Sequence, residues 1–189
     1  QSTRNAIVQA LSRVMEARDF TAQGHAERVQ NLVADIAAAI DLSEQQTTDL
    51  CLLAQFHDIG KIGIPDRILL KDSFLTLEET AEVRRHCEIG SRIALAVPDL
   101  VHIADLILKH HEWWNGEGYP LGLRGKDIPL ECRIMAIADA YDAMTSDRPY
   151  RKALSHEEAV AELNRCSNTQ FDPVLVPEYI RVIENRNRQ

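Results

Sequence analysis

Apolar side chains recur at three- and four-residue steps along most of this sequence, which is the period of an amphipathic α-helix. Residues 5–18 and 25–40 follow this pattern clearly. The alternation of apolar and polar residues that is typical of a half-buried strand does not extend over any useful length. We therefore predict an all-α fold of about eight or nine helices packed in one domain.

Several helix starts can be located from the sequence. A Ser or Thr followed three residues later by Gln or Glu forms a capping box, and this pattern begins at Ser43, Thr76 and Ser155. Two stretches interrupt the helical period, residues 60–66 and 115–129, and both are rich in Gly and Pro or in other loop-forming residues. Because loops on a rigid scaffold often carry function, we expect the functional site beside them.

The composition excludes several classes of protein. With 189 residues, 45% hydrophobic and 26% charged, the chain has the size and makeup of an ordinary globular domain. No apolar run reaches the roughly 18 residues of a membrane span, so we expect no membrane contact by this segment. The net charge of -8 argues against a broad basic face for long nucleic acid. The four scattered cysteines form no CxxC pair, which favours reduced thiols in a cytoplasmic protein.

Potential metal ligands lie where helices are expected to end. His57-Asp58 follows an apolar run and precedes Gly60, so a helix ending there would present an imidazole and a carboxylate from its last turn. His110-His111 ends another expected helix just before the irregular loop. Neutral imidazoles and carboxylates suit a borderline divalent metal such as Fe, Mn, Co, Ni or Zn. Two such metals about 3.5–4 Å apart stabilise the attacking and leaving oxygens of a phosphodiester.

A carboxylate within an apolar run gives a further candidate. Asp139 is surrounded by Ile, Ala and Met, and burying a carboxylate there is costly unless it is paired or bound to a metal. Asp142 lies three residues further along, on the same helix face. His102 and His156 are interpreted instead as surface or capping residues, because each fits the ordinary use of histidine near a helix end.

These residues fall in three ordered blocks that resemble the HD-GYP family, a branch of the HD phosphohydrolase superfamily. The blocks are residues 57–65, 110–120 and 139–151, and the resemblance extends over residues 19–177. It implies an all-α HD-domain helical bundle with an irregular GYP loop. It also implies hydrolysis of the bacterial second messenger cyclic di-GMP, mainly to the linear dinucleotide pGpG.

The resemblance implies two divalent transition metal ions, with Fe or Mn favoured and Zn, Co, Ni or Mg as alternatives. Asp58 would bridge them and take a catalytic role. One metal would rest on the first group, His25, His57 and Asp139, and the other on the second group, His86, His110 and His111. Some family members have a glutamate four residues before the first histidine and bind a third metal. Thr21 occupies that position here, so two metals are expected.

The resemblance also implies residues for the substrate. Lys61 would reach a phosphate or the leaving oxygen, as a catalytic and substrate-binding cation. Tyr119 of the GYP triplet, together with Gly118, would contact phosphate or guanine, and so would Arg148 and Arg151. Asp142 would either contact the substrate or orient a metal ligand.

The domain organisation and two alternative functions complete these expectations. Residues 1–18 would be a linker helix from an upstream sensor or receiver domain, since residue 1 is Gln rather than Met, and their apolar positions would suit a homodimer contact. Residues 19–189 would be the HD-GYP catalytic domain. One alternative is a phosphodiesterase for cyclic GMP-AMP. The other is a non-catalytic module that binds cyclic dinucleotides or proteins.

Overall fold

The computed structural model describes residues 10–11, 13–14, 17, 24–148 and 151–188. Within them the prediction of an all-α fold is confirmed, because helices are joined by loops and only two isolated backbone bridges occur. The α-helices are α1 (His25–Ala39), α2 (Glu44–Phe56), α3 (Asp66–Leu69), α4 (Leu77–Arg84), α5 (His86–Leu95), α6 (Ala104–Lys109), α7 (Leu130–Thr145), α8 (His156–Arg165) and α9 (Leu175–Arg186). Three short 3-10 helices span Ile59–Gly63, Val101–Ile103 and Gly125–Asp127.

The three predicted capping boxes are present at the starts of α2, α4 and α8. In each, the hydroxyl of Ser43, Thr76 or Ser155 accepts from the backbone N–H three residues later, and the Gln or Glu there accepts from the cap. Such a cap stabilises a helix by about 1 kcal/mol, so these three starts are fixed locally by sequence.

Helix α7 lies at the centre of the bundle. It packs against α1, α2, α8 and α9, and residues on several sides of it are buried, including Ile134, Met135 and Ile137. Burying one such side chain contributes about 1.5–3 kcal/mol, so these contacts hold the helix firmly. The core therefore fixes the position of Asp139, which α7 carries.

The part of the core beneath the site is formed by α1 and α2. These two helices pack along each other and bury Val29, Val33, Leu53 and Phe56 completely. Phe56 immediately precedes His57, so the burial of its ring anchors the end of α2 from which the histidine projects.

The predicted linker helix over residues 1–18 lies mostly outside the described residues. Of that segment, Leu11 packs against the hydrophobic core of the domain. Elsewhere the longest helix is α7, with 16 residues. None of the described helices combines the length and apolarity needed to cross a membrane.

Candidate metal centre

Three histidines are oriented by hydrogen bonds to carbonyl groups near helix ends. The last carbonyls of a helix have no partner within it, and each of these rings donates from Nδ1 to the carbonyl three residues earlier. Because a carbonyl oxygen only accepts, Nδ1 carries a proton, and in the neutral ring Nε2 then presents a lone pair. The pairs are His57 with Ala54 at 3.0 Å, His86 with Val83 at 2.8 Å and His110 with Ile107 at 2.6 Å.

The Nε2 lone pairs then converge in a buried space. The Nε2 atoms of His86 and His110 are 3.3 Å apart, and the two residues are 2% and 3% exposed. Nε2 of His57 is buried without a hydrogen-bond partner. Two facing lone pairs and an orphaned acceptor are costly without a cation to receive them. The residues therefore fit a metal ion.

Asp58 lies between two sets of histidines. Its Oδ2 is 3.5 Å from Nε2 of His57, and its Oδ1 is 3.5 Å from Nε2 of His86. Lys61 donates from Nζ to Oδ2 at 2.8 Å. Although burial alone would raise the pKa of Asp58, the Lys61 ammonium and neighbouring imidazoles hold that pKa well below its usual range. The carboxylate is therefore ionised and directs one oxygen to each side.

The first group contains a second carboxylate. Oδ1 of Asp139 is 3.2 Å from Nε2 of His25 and 3.7 Å from Nε2 of His57. Burial lowers the pKa of His25, but hydrogen bonds to Asp139 and Asp142 outweigh it and raise that pKa to about 9. The surroundings thus stabilise positive charge at Nε2 of His25, as a proton or as a metal ion in its place.

The second group consists of neutral imidazoles. The ring centroid of His111 is 4.2 Å from that of His110 and 5.0 Å from that of His86. Burial is the largest cause that lowers the pKa of all three, and that of His111 falls to about 4. Their lone pairs are therefore available to a metal at neutral pH.

A close backbone approach joins the two groups. Gly60 follows Asp58 in the 3-10 helix, and a Cβ there would lie 1.8 Å from the carbonyl oxygen of His86 and 2.6 Å from the amide of Gly90. Only glycine permits this contact, since no side chain fits between the two backbones. Gly60 thereby sets Asp58 beside His86.

Asp142 and Arg28 form a support behind His25. Asp142 is 4% exposed and accepts from Nδ1 of His25 at 2.7 Å. Arg28 donates from Nε to its other oxygen at 2.6 Å. Because both oxygens are occupied inside the domain, these contacts favour the orienting role predicted for Asp142 over contact with substrate. The sequence reasoning missed Arg28, although its position one turn after His25 on α1 was a usable signal.

The GYP loop packs its tyrosine onto the cluster. The ring of Tyr119 stacks on that of His111 at 4.9 Å and 18°, and its amide donates to the His111 carbonyl. A Cβ at Gly118 would lie 2.2 Å from the backbone nitrogen of Trp113, so glycine allows the loop to fold this tightly. The guanidinium of Arg84, also missed, lies 4.7 Å above the Tyr119 ring.

Glu112 anchors the same loop and was missed by the sequence reasoning. It is 3% exposed and accepts from the backbone N–H groups of Leu121 and Leu123 at 2.6 and 2.8 Å. A buried carboxylate is retained where such donors satisfy it. Its position directly after His110-His111 was the available signal.

Arg148 and Arg151 lie on the segment that follows α7. They are bridged through their backbones, and Arg151 donates to the carbonyl of Ala143 at 2.7 Å. They line a cavity of about 330 Å³ whose described walls include Ala140 and Phe171 and contain none of the predicted metal ligands. Lys61 contacts Asp58 and Tyr119 contacts His111, whereas the described contacts of the two arginines do not include a predicted metal ligand.

The remaining predictions are located as follows. Thr21 lies outside the described residues. His102 is partly exposed and 3.4 Å from Asp49, and His156 pairs with the hydroxyl of Tyr141 at 2.9 Å. Neither ring joins the cluster, in line with their interpretation as non-ligands.

The sequence is similar to those of known proteins. A family model described as "HD domain" matches residues 9–175. A cyclic di-GMP phosphodiesterase from Thermotoga maritima is 41% identical over 178 residues, which is 93% of this chain and 48% of that protein. A 3'3'-cGAMP-specific phosphodiesterase of Vibrio cholerae is 34% identical over 93% of this chain and 34% of that protein.

The fold is also shared with solved structures. An HDG"Y"P protein from Bdellovibrio bacteriovorus superposes with a TM-score of 0.70 at 22% identity, over 93% of this chain and 57% of that one. At this identity the likeness concerns the fold alone. The chain spans about half the length, or less, of the curated relatives that it matches.

Proposed function

This chain belongs to the HD domain family, in its HD-GYP branch, and on that premise we propose that it is a two-metal phosphodiesterase. Its proposed substrate is cyclic di-GMP and its main product pGpG. One observation carries the proposal: the two oxygens of Asp58 face two separate sets of inward-directed histidine Nε2 atoms. HD phosphohydrolases depend on metals, and this cluster has the donors to hold them.

Seven residues would hold the metals. Asp58 would bridge, with the first group on one side and the second group on the other. Imidazole and carboxylate donors suit Fe or Mn, which the family resemblance favours, with Zn, Co, Ni or Mg as alternatives. When bound, two divalent ions supply a water-derived nucleophile at neutral pH and offset negative charge on the phosphoryl oxygens.

The protein residues would position the substrate. Lys61 lies within hydrogen-bond reach of Asp58, so its ammonium would also meet a phosphate oxygen at the same edge of the cluster and offset charge there. Tyr119 lies on the ring of His111 and would border the phosphate or guanine, with Gly118 allowing its approach. Asp142 would act on substrate only through His25, whose ring it orients.

Arg148 and Arg151 remain proposed contacts to the far part of the substrate. The cavity that they line includes Ala140, which follows Asp139 directly on α7. A dinucleotide has two nucleotide halves, so one half could lie at the cluster while the other extends toward this cavity. The four free cysteines support the expectation that the protein works in the cytoplasm.

Cyclic GMP-AMP is the alternative substrate, and the relative from Vibrio cholerae named for that dinucleotide favours keeping it. The test is product identification by chromatography after incubating anaerobically purified, metal-loaded protein with each dinucleotide. We expect cyclic di-GMP to be opened faster than cyclic GMP-AMP and pGpG to accumulate. Faster opening of cyclic GMP-AMP would reassign the substrate. No turnover of either by protein with its metals bound would favour the non-catalytic module.

Lys61→Ala separates binding of metal from chemistry. Lys61 is bonded to Asp58 but is no ligand itself, so this variant should keep its metals while losing at least about tenfold in kcat/KM. Elemental analysis and steady-state rates on the same preparation give the answer. Loss of metal in Lys61→Ala would place the lysine in the support of the cluster instead.

A further inference from the structure

A cysteine lies among the second group of histidines. Cys87 follows His86 at the start of α5 and is completely buried. Its Sγ is 3.7 Å from Nε2 of His86. The ligand atoms of Cys87, His86, His110 and His111 all lie within 4.8 Å of one another. From the sequence alone, this residue was grouped with the other reduced cysteines.

The spacing of these atoms fits one coordination sphere. Two ligands of one metal, at about 2.1 Å for nitrogen and about 2.3 Å for sulfur, lie about 3.0–3.4 Å apart when both are nitrogens. A nitrogen and a sulfur lie about 3.1–3.6 Å apart, at angles of about 90–109° that leave room for Asp58 as a further ligand. The corresponding distances here are 3.3 Å between His86 and His110 and 3.7 Å between His86 and Cys87. The sulfur therefore stands where a further ligand of the second group would stand.

The tautomers of the histidines give a second, independent indication. Since Nδ1 of His86 and of His110 each donates to a carbonyl, both Nε2 atoms present lone pairs to the sulfur and to each other. A metal ion that accepts these lone pairs would remove the repulsion between them. A thiolate would strengthen the binding of that ion.

We propose that Cys87 is a thiolate ligand of the metal held by His86, His110 and His111. On binding, the S–H bond of Cys87 breaks, a sulfur–metal bond forms and one proton passes to solvent. A thiolate makes this position softer than the one at His25, His57 and Asp139. It therefore favours Fe, Co or Zn there over Mn or Mg. This inference rests on the metal centre of the proposed function.

The experiment replaces the native metals with Co²⁺ under anaerobic conditions and records the near-ultraviolet spectrum. The wild-type protein should show the charge-transfer band of a cobalt–thiolate bond. Cys87→Ser should lack that band and bind the second Co²⁺ at least about tenfold more weakly. Cys132→Ser is the matched control, because Cys132 is equally buried but donates to the carbonyl of Leu106 on another helix. That control should keep the band.

A measurement on the wild-type protein removes dependence on the variant's folding. X-ray absorption of the zinc-loaded chain should show a sulfur neighbour at about 2.3 Å for one of the two zinc ions. Metal bound with only nitrogen and oxygen neighbours, or a band that persists in Cys87→Ser, would overturn the role of Cys87 and leave the metal centre standing. Failure to bind Co²⁺ or Zn²⁺ at all would overturn both.

Discussion

At the scale of single residues, the site depends on which nitrogen of each histidine carries the proton. His57, His86 and His110 each donate from Nδ1 to the carbonyl three residues earlier, near the end of a helix, and His25 donates to Asp142. Each ring therefore presents Nε2 to the cluster before any ion arrives. Such preorganisation lowers the cost of ordering the ligands when a metal binds.

Asp142→Asn tests this control of protonation at His25. An amide can donate to Nδ1, which would move the proton to Nε2, and the change removes one of the three carboxylates that raise the His25 pKa. We expect metal affinity to fall about 10–100-fold. In the metal-free variant, the pKa of His25 should drop below about 9. Titration with Mn²⁺ and NMR of the histidine ring measure the two effects.

Asp49→Asn is the control for that change, because Asp49 faces His102 away from the cluster. It should bind metal as the wild type does. Equal affinities for wild type and Asp142→Asn would show that Asp142 does not position His25.

At the scale of secondary structure elements, the cluster depends on how closely the 3-10 helix of Ile59–Gly63 lies against α5. Asp58 precedes that helix and His86 begins α5, so a shift between the two elements separates the bridging carboxylate from the second group. Gly60 and Gly90 meet at this contact.

Gly60→Ala should force these elements apart. The new Cβ would meet the His86 carbonyl oxygen at 1.8 Å, a backbone atom that no side-chain rotation can move away. We expect unfolding free energy to fall by about 1–3 kcal/mol or more, with less metal bound per chain. Urea denaturation and elemental analysis measure both quantities.

Gly63→Ala is the matched control in the same 3-10 helix. Its Cβ would meet only the side chain of Ile89, at 3.1 Å, and that side chain can adjust. Its stability should stay within about 1 kcal/mol of wild type, with metal retained. If Gly60→Ala behaved like Gly63→Ala, the close approach would not be what aligns Asp58 with His86.

At the scale of the whole molecule, the cluster ties together elements that are distant in the sequence. Its ligands come from α1, the end of α2, the start of α5, the end of α6 and α7. A metal that binds these residues together binds only the folded chain, and its binding free energy therefore adds to folding stability.

Thermal unfolding should consequently depend on metal concentration. Free Mn²⁺ at about 100 times its Kd should stabilise the protein by about 2.7 kcal/mol, and the midpoint temperature should keep rising with further Mn²⁺. Calorimetry of the chelated protein against a series of free Mn²⁺ concentrations tests this. A midpoint that does not change with Mn²⁺ would mean that the cluster does not hold that metal in the folded state.

Local patterns in the sequence were enough to predict the helical fold, its capped starts and the pairs His57-Asp58 and His110-His111. Asp139 could also be predicted as a candidate ligand, because a carboxylate in an apolar run requires a partner. Contacts between residues that are distant in the sequence could not be predicted in this way. The close approach of Gly60 to the backbone of α5 depends on how the helices pack. So does the position of Cys87 beside His86, His110 and His111. Arg148 and Arg151 follow Asp139 in the sequence but line a separate cavity.

We propose that Asp58 bridges two metals, and the metal content of anaerobically purified protein is the direct test. We expect about two metals per chain in the wild type. Asp58→Ala should lose metal from both positions and should no longer open cyclic di-GMP. Two metals retained in Asp58→Ala, with hydrolysis intact, would show that Asp58 does not bridge them.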